Sequence, residues 1–535
     1  MNNSNPKLFL WSITAALAGF LFGFDTIVIS GAEETFQRLW QLDGRMHGWA
    51  MSMALWGTVI GAIFGGIPSE RFGRRKTLIV VGILYFISAV GSALAPDVYA
   101  FMFARFIGGL GVGAATVAAP MFISEISPAR SRGKLAGMFQ FNIVFGILIA
   151  LVSNWAFGKS MDMDVAWRWM LGIEAVPALV YTILAFGLPE SPRWLITHAR
   201  KREEGAAIFR QINPEFTEGQ IDALVAEVAE TTRGTGKTAG FWTHRLRIPI
   251  LLAILIAAFN QLSGINIVFY FAPRLLGLAG LENTLLASIA LGLTNLVFTF
   301  IGLWLIDKLG RRALLYIGSV GYIISLSVCA YTFLSTPTLK VASVAGDLAA
   351  SAGTLVNVED GTRFMSAEDR MKFEEGYAEK KAVLVEISQA EWFNGTEVAI
   401  PADASAAEVL EIATAAKSEA GKLLGSTGII VLLALMAFIA AHAIGQGAVI
   451  WVFISEIFPN DHRAAGQSLG SSTHWVFAAG LTLLFPIVIG RFEPGTLFGF
   501  FAFMMVLQLV WVKLMVPETK GRPLEQIEHD LGTAK

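Results

Sequence analysis

Long apolar runs dominate this chain, and most of the polar stretches between them are short. Runs lie near 8–31, 47–67, 77–95, 98–121, 135–156 and 166–188. Each is about as long as an α-helix that crosses hydrocarbon. A polar stretch at 189–247 follows, then further runs near 248–272, 284–306, 313–334, 426–455, 465–490 and 495–516. Hydrocarbon offers the backbone no partners, so such runs span as helices. The pattern predicts an all-α membrane protein with twelve spans and both termini on one side. Only Lys7 precedes the first run, and no small-residue cleavage site follows a short apolar core, so it reads as a retained helix.

Blocks of sequence recur. Ile123-Ser124-Glu125-Ile126 with Pro128 and Arg132 reappears as Ile454-Ser455-Glu456-Ile457 with Pro459 and Arg463. Gly73-Arg74-Arg75 returns as Gly310-Arg311-Arg312, and Pro189-Glu190-Ser191 as Pro517-Glu518-Thr519. The first offset exceeds the second by about ninety residues, so the second half carries an insertion between Arg312 and Ile454. Two pseudosymmetric six-helix bundles are expected, an arrangement typical of transporters. The divisions are a bundle at 1–188, a linker at 189–247, a bundle at 248–516, an insertion at 336–425 and a tail at 517–535.

The insertion has 15 acidic and 8 basic residues and reads as too polar to cross a bilayer. Ser366–Gln389 and Ala404–Leu424 have helical apolar spacing, which predicts a small helical cap or a partly disordered loop. Asn394-Gly395-Thr396 matches a glycosylation sequon or is a chance occurrence. In the linker, Glu203–Ile212 and Thr217–Thr231 are amphipathic and read as short helices bridging the bundles.

Charge orients the molecule. Short loops after even-numbered spans hold Arg71, Arg74, Arg75, Lys76, Arg130, Arg132, Lys134, Lys308, Arg311, Arg312 and Arg463. Those after odd-numbered spans hold only Arg38, Arg45, Lys159, Arg168, Arg274 and Arg491. This bias predicts cytoplasmic termini, a multi-pass protein of the cell membrane, and an insertion on the outer face. The chain has 535 residues, 54% hydrophobic and 15% charged, with a net charge of −2. Soluble proteins are about 25% charged, so most of this chain belongs in lipid. The balance argues against nucleic-acid binding. Cys329 is a lone cysteine in an apolar run, so no disulfide framework or cysteine metal site is expected. No nucleophile–base or metal-ligand constellation points to an enzyme, a cofactor or a bound metal.

The candidate chemistry lies in polar residues at membrane depth. Asn260, Gln261 and Asn266 flank Ser263-Gly264 in one apolar run that Pro273 ends. Amides there must face other helices or a watery cavity. A broken span with amides near the midplane suits a neutral-solute site, and interhelical hydrogen bonding is the alternative. Asp25 in span one and Arg105 in span four both lie about 10 Å below the outer boundary, counting about 1.5 Å per residue, and can meet there. An unpaired charge near the bilayer centre costs about 2.5–3.5 kcal/mol, so they are expected to pair. Glu174 in span six is a further buried-carboxyl candidate, with a plain interfacial role as the other reading.

Arg71-Phe72-Gly73-Arg74-Arg75, Pro189-Glu190-Ser191-Pro192-Arg193-Trp194-Leu195, Gln261-Leu262-Ser263-Gly264-Ile265-Asn266 and Pro517-Glu518-Thr519-Lys520-Gly521-Arg522 occur in that order. Together they resemble the sugar porter family of the major facilitator superfamily, over nearly the whole chain outside the insertion. The resemblance implies sugar contacts at Gln140, Asn260, Gln261, Asn266, Asn295 and Trp451. Amides suit hydroxyls because they donate and accept, and an indole face covers the apolar side of a sugar ring. His442, His474 and Trp475 resemble positions in fructose-selecting facilitators, though packing would also account for the histidines. Asn260 stands where many members have Gln, and Ala448 where Pro is common. Glu70, where the family usually has Asp or Asn, joins Arg71, Arg74, Arg75, Glu125, Arg132, Arg311, Arg312, Glu456 and Arg463 as an expected inner gate of ion pairs between the halves. Proton symporters of the family resemble this chain at Asp25, where animal uniporters typically have Asn. The implied function is proton-coupled monosaccharide symport by alternating access, with protons, a hexose or pentose and the bilayer as partners. The alternatives are a facilitative uniporter with Asp25–Arg105 as a structural ion pair and, less favoured, a sugar sensor.

Overall fold

The structure is a computed structural model that describes residues 6–128, 132–233, 240–361 and 365–533. Among these residues, twelve helices are long and apolar enough to cross a membrane. The pair Gly44–Phe64 and Gly66–Phe72, bent by 46°, makes one further candidate. Spans one to five are Pro6–Val28, Gly44–Phe64, Arg74–Leu94, Val98–Ile126 and Arg132–Ser160. Span six is broken into Met163–Gly172 and Ala175–Phe186. Spans eight, nine, eleven and twelve are Thr284–Leu309, Arg311–Ser335, Arg463–Ile489 and Pro494–Met515.

Spans seven and ten are broken at glycines. Span seven runs over Arg247–Leu262 and resumes as Ile265–Tyr270. Gly264 between them has φ +87°, a left-handed conformation that L side chains resist. A Cβ on Gly264 would also meet the Phe501 ring at 2.6 Å. Span ten divides at Gly445 into Thr427–Ile444 and Gln446–Ile457. These breaks free backbone groups in mid-membrane and turn side chains toward one interior space.

Spans one to six pack mainly as one on five, two on four and three on four. In spans seven to twelve, nine packs on ten and twelve, seven on eleven and eight on ten. The two sets of six meet along spans two and eleven and along spans five and eight. At the face opposite the termini, Gly48 of span two presses against the Leu483 carbonyl of span eleven, leaving no room for a Cβ.

The polar stretch after span six contains the helices Pro192–Thr197, Arg202–Ile212 and Glu218–Arg233. The expectation that they bridge the two bundles needs correcting. Their apolar residues Ile196, Phe209, Ile212, Ile221 and Val228 join a core with Leu8, Ile126 and other residues of the first six spans. Their amphipathic faces are satisfied on that side.

The insertion is helical, with Ala367–Ser388 and Ala406–Leu424 where the sequence spacing predicts them. The sequence reading missed Thr338–Glu359, which by length and composition is itself a candidate span. It packs mainly on the other two insertion helices and reaches the bundles through Ala272–Leu278. Its apolar residues, among them Leu348, Ala352 and Leu355, are buried in that contact. The cap is therefore built around an apolar helix covered by two charged ones. Arg38, between spans one and two, bonds the Ala350 carbonyl and the Thr354 hydroxyl of the cap, and its Nη2 lies 2.7 Å from Asp164 Oδ1. Replacing 340–422 with a short flexible linker is expected to leave at least half of the sugar uptake, measured in proteoliposomes per inserted protein. Uptake at background with the protein inserted and folded would make the cap part of the transport path.

Candidate functional site

The breaks in spans seven and ten open onto a cavity of about 160 Å³. Gln140, Asn260, Gln261, Asn266, Asn295, His442, His474 and Trp475 all line it, drawn from spans five, seven, eight, ten and eleven. Asn266 Nδ2 donates to Gln261 Oε1 at 2.9 Å, and Gln261 Nε2 donates to Asn260 Oδ1 at 3.0 Å. The same Gln261 nitrogen lies 3.1 Å from His474 Nε2. Gln261 is thus the centre of a polar chain in a cavity whose apolar wall includes Phe22, Ile143, Ile147 and Phe269. Trp475 meets Phe22 edge-on at 5.7 Å, closing the wall between the two sets of six. Trp451 is not among the lining residues. Its ring lies against His474 at 5.3 Å, and its carbonyl accepts from Gln467 of span eleven.

Span one connects this cavity to the charged residues. Gly23, Thr26 and Ile27 line the cavity, while Asp25, on the opposite side of the helix, meets Arg105. Arg105 Nη1 donates to Asp25 Oδ1 at 2.7 Å, and Nη2 donates to the Asp25 carbonyl at 2.9 Å. Both side chains are 1% exposed. Glu174 is 0% exposed, at the break in span six, so the interfacial reading does not hold. Its carboxyl approaches that of Asp25. Neither Glu174 oxygen nor Asp25 Oδ2 has a hydrogen-bond donor among the described residues. The backbone at Ile173 and Glu174 keeps helical dihedrals, so Glu174 is buried by its place on the helix face that packs against the neighbouring spans.

The basic blocks are organised differently from the expected gate. Arg74 makes a two-pronged bond to Glu125 at 2.8 and 3.0 Å, and Arg311 does so to Glu456 at 2.7 and 3.1 Å. Each pair stays within its own set of six spans, so these are braces inside the halves rather than links between them. Gly73 and Gly310, at φ +99° and +90°, start spans three and nine so that their first N–H groups point outward. Glu190 accepts from the N–H groups of Arg74 and Arg75, and Glu518 from those of Arg311 and Arg312. Sequence reading quoted both glutamates within motifs without finding this capping role. Their recurrence three residues before Arg193 and four before Arg522 was the available signal.

The other gate candidates have local contacts. Arg75 and Arg312 bond the carbonyls of Phe186 and Lys513, Arg463 bonds that of Ser455, and the Glu70 carbonyl accepts from Trp194. Arg71 stacks over Phe72. The Arg132 side chain lies outside the described residues.

The ion pair that does link the two sets of six lies at the opposite face. Arg274, after span seven, bonds both oxygens of Glu33, after span one, at 2.8 and 2.7 Å. His47 of span two reaches the same carboxyl at 2.8 Å. Sequence reading missed Glu33 and His47. Burial pushes the Glu33 carboxyl up, but Arg274 and then His47 outweigh it and leave it at about 2. A larger hollow of about 680 Å³ lies beside this lock, walled by Arg38, Asp164, Arg274, Asp347 and Lys380. It contains none of the cavity amides.

A family model described as "Sugar (and other) transporter" matches residues 11–356 and 406–531. The chain belongs to the sugar porter family. Among its curated relatives is a glucose transport protein of Synechocystis, 30% identical over 98% of each chain. Another is a D-xylose-proton symporter of Escherichia coli, 29% identical over 99% of this chain and 97% of the relative. The structure matches an inward-open xylose transporter of E. coli with a TM-score of 0.72 at 28% identity, covering 98% of this chain and 99% of that one. Its fold is that of a major facilitator, and its family consists of transporters rather than enzymes.

Two outcomes follow from the site geometry. Gln261→Ala should weaken sugar binding roughly a hundredfold by calorimetry with expression intact, because the amide joining three polar partners is lost. Unchanged affinity would move the site elsewhere. Glu33→Gln should favour opening at the locked face by about 3 kcal/mol, the scale for breaking a buried pair, read as faster labelling of a cysteine placed beside Arg274. Because the Glu33 carboxyl is depressed from an ordinary value near about 4.3, its contribution persists at neutral pH and fades only as pH falls toward about 2.

Proposed function

We propose that this protein is a proton-coupled monosaccharide symporter that alternates access to its central cavity between two six-helix bundles. The observation carrying the coupling is the second carboxyl: Glu174 stands buried and without a donor beside an Asp25 already paired with Arg105. Two carboxyls facing one guanidinium are electrically neutral together only with one proton on the pair. A purely structural Asp25–Arg105 pair has no use for that second carboxyl, which disfavours the uniporter.

The proton site and sugar site share two helices. Span one presents Thr26 to the cavity and Asp25 to Arg105. The short helix Ile265–Tyr270 presents Asn266 to the cavity, and Tyr270, one turn on, lies in the field of Arg105 and Asp25. Sugar drawing Asn266 inward therefore shifts the environment of the carboxyl pair. With the cavity sealed at the Glu33–Arg274 lock, the loaded carrier discharges at the face bearing the basic loops. We assign that face and both termini to the cytoplasm from the distribution of basic residues, and the cap to the exterior of the cell membrane. The names of the relatives, glucose, D-xylose-proton and arabinose-proton transporters, fit a hexose or pentose as cargo. The Arg74–Glu125 and Arg311–Glu456 braces keep each bundle rigid at the inner face while the bundles rock.

Asp25→Asn keeps size and hydrogen bonding but removes proton exchange at that residue. The variant should exchange sugar in counterflow at a rate within about threefold of wild type, an activation difference of about 0.7 kcal/mol. It should fail to accumulate sugar under an imposed pH gradient, because the empty carrier cannot return deprotonated. Accumulation driven by a proton gradient alone in Asp25→Asn would remove Asp25 from the coupling and leave Glu174 as the carboxyl to test.

A further inference from the structure

At one wall of the cavity, His442 Nδ1 lies 2.7 Å from the Tyr322 hydroxyl. Tyr322 of span nine is fully buried and is not among the cavity-lining residues, so it meets the imidazole from behind. Its ring packs against Phe438 at 5.4 Å, one turn before His442 on span ten, which holds the phenol in place. The other edge of the imidazole faces the cavity-lining Gly447: a Cβ there would lie 3.3 Å from His442 Nε2. Glycine at 447 leaves this nitrogen in reach of a ligand.

The phenol contact fixes the orientation of the imidazole: Nδ1 is held on the Tyr322 oxygen, and Nε2 is turned to the cavity side, beside Gly447.

We propose that Tyr322 is a positioning residue for substrate selection, holding the His442 ring so that its Nε2 hydrogen-bonds a hydroxyl of the sugar. The proposal rests on the reading of the cavity as the sugar site. It makes selection depend on spans nine and ten together: Tyr322 and His442 form one relay ending at the ligand. A sugar that presents a hydroxyl to this nitrogen is favoured, and its deoxy analogue at that position loses the advantage.

Competition uptake in proteoliposomes tests this on full-length protein, with a panel of hexoses, pentoses and their monodeoxy analogues. The variants are Tyr322→Phe, His442→Ala, the double variant and Gln261→Ala. Tyr322→Phe should raise KM about tenfold for the sugars that His442→Ala also weakens, with kcat within twofold. Deoxy analogues insensitive to His442→Ala should be equally insensitive to Tyr322→Phe, and the double variant should match His442→Ala alone. Uniform loss across the panel, a fall in kcat with KM steady, or full additivity in the double variant would each reduce Tyr322 to packing and overturn the proposal. Unchanged selectivity in His442→Ala would do the same. Gln261→Ala reports separately on the cavity. Loss of binding there with a silent Tyr322→Phe discards the relay alone, whereas unchanged binding in Gln261→Ala discards the cavity reading beneath it.

Discussion

Asp25 and Arg105 meet where neither can reach water, and the fold around them satisfies the demands of that contact. Burying a lone carboxylate or guanidinium in hydrocarbon is costly, so each fixes the other and with it the register of spans one and four. Span one then has two functional sides, one bearing Asp25 and the other facing the cavity through Gly23, Thr26 and Ile27. A third ionisable group in the same dry space, Glu174, makes the cluster's charge depend on a proton. The amides are held in the same way: Asn266, Gln261, Asn260 and His474 bond one another in a chain at the cavity wall.

The bundles move relative to one another, and the distribution of ion pairs fits that motion. Strong two-pronged pairs, Arg74–Glu125 and Arg311–Glu456, lie inside the bundles, where they need not break during transport. The ionic contact found between the bundles among the described residues, Arg274 with Glu33 and Glu34, is one small cluster at one face. Arg38, between spans one and two, ties the cap to the same face. Rigidity within each half and a compact lock between halves are what alternating access requires.

Much of this was legible in the sequence, for physical reasons. Spans, breaks and amides show because hydrocarbon permits few residues and each exception carries information. Asp25 and Arg105 were matched by counting helical rise from the membrane boundary. No such count placed Glu174, whose burial comes from neighbouring spans packed over it and leaves no signal in its own span. Trp451 packs on His474 and is not among the wall residues, a contact between two spans that periodicity within one span does not reveal. The repeated acidic residues pointed to ion pairs at the correct face, but sequence spacing does not distinguish a partner in the same bundle from one in the other. Thr338–Glu359 was missed because its apolar face is answered by two charged helices, so the insertion as a whole averaged to polar. Tyr322 gave no signal, as a tyrosine in an apolar span is ordinary until its neighbour is known.

Proton coupling is the claim on which the account stands, and the unmodified protein can test it directly. The measurement is the external pH of a weakly buffered suspension of proteoliposomes, with no imposed gradient, as sugar is added outside and its uptake followed in parallel. The account predicts alkalinisation that begins with sugar influx, scales with it across sugars, and is abolished by a protonophore. Sugar influx at the same rate with no movement of pH would contradict it, and would make the Asp25–Arg105–Glu174 cluster a structural feature of a uniporter.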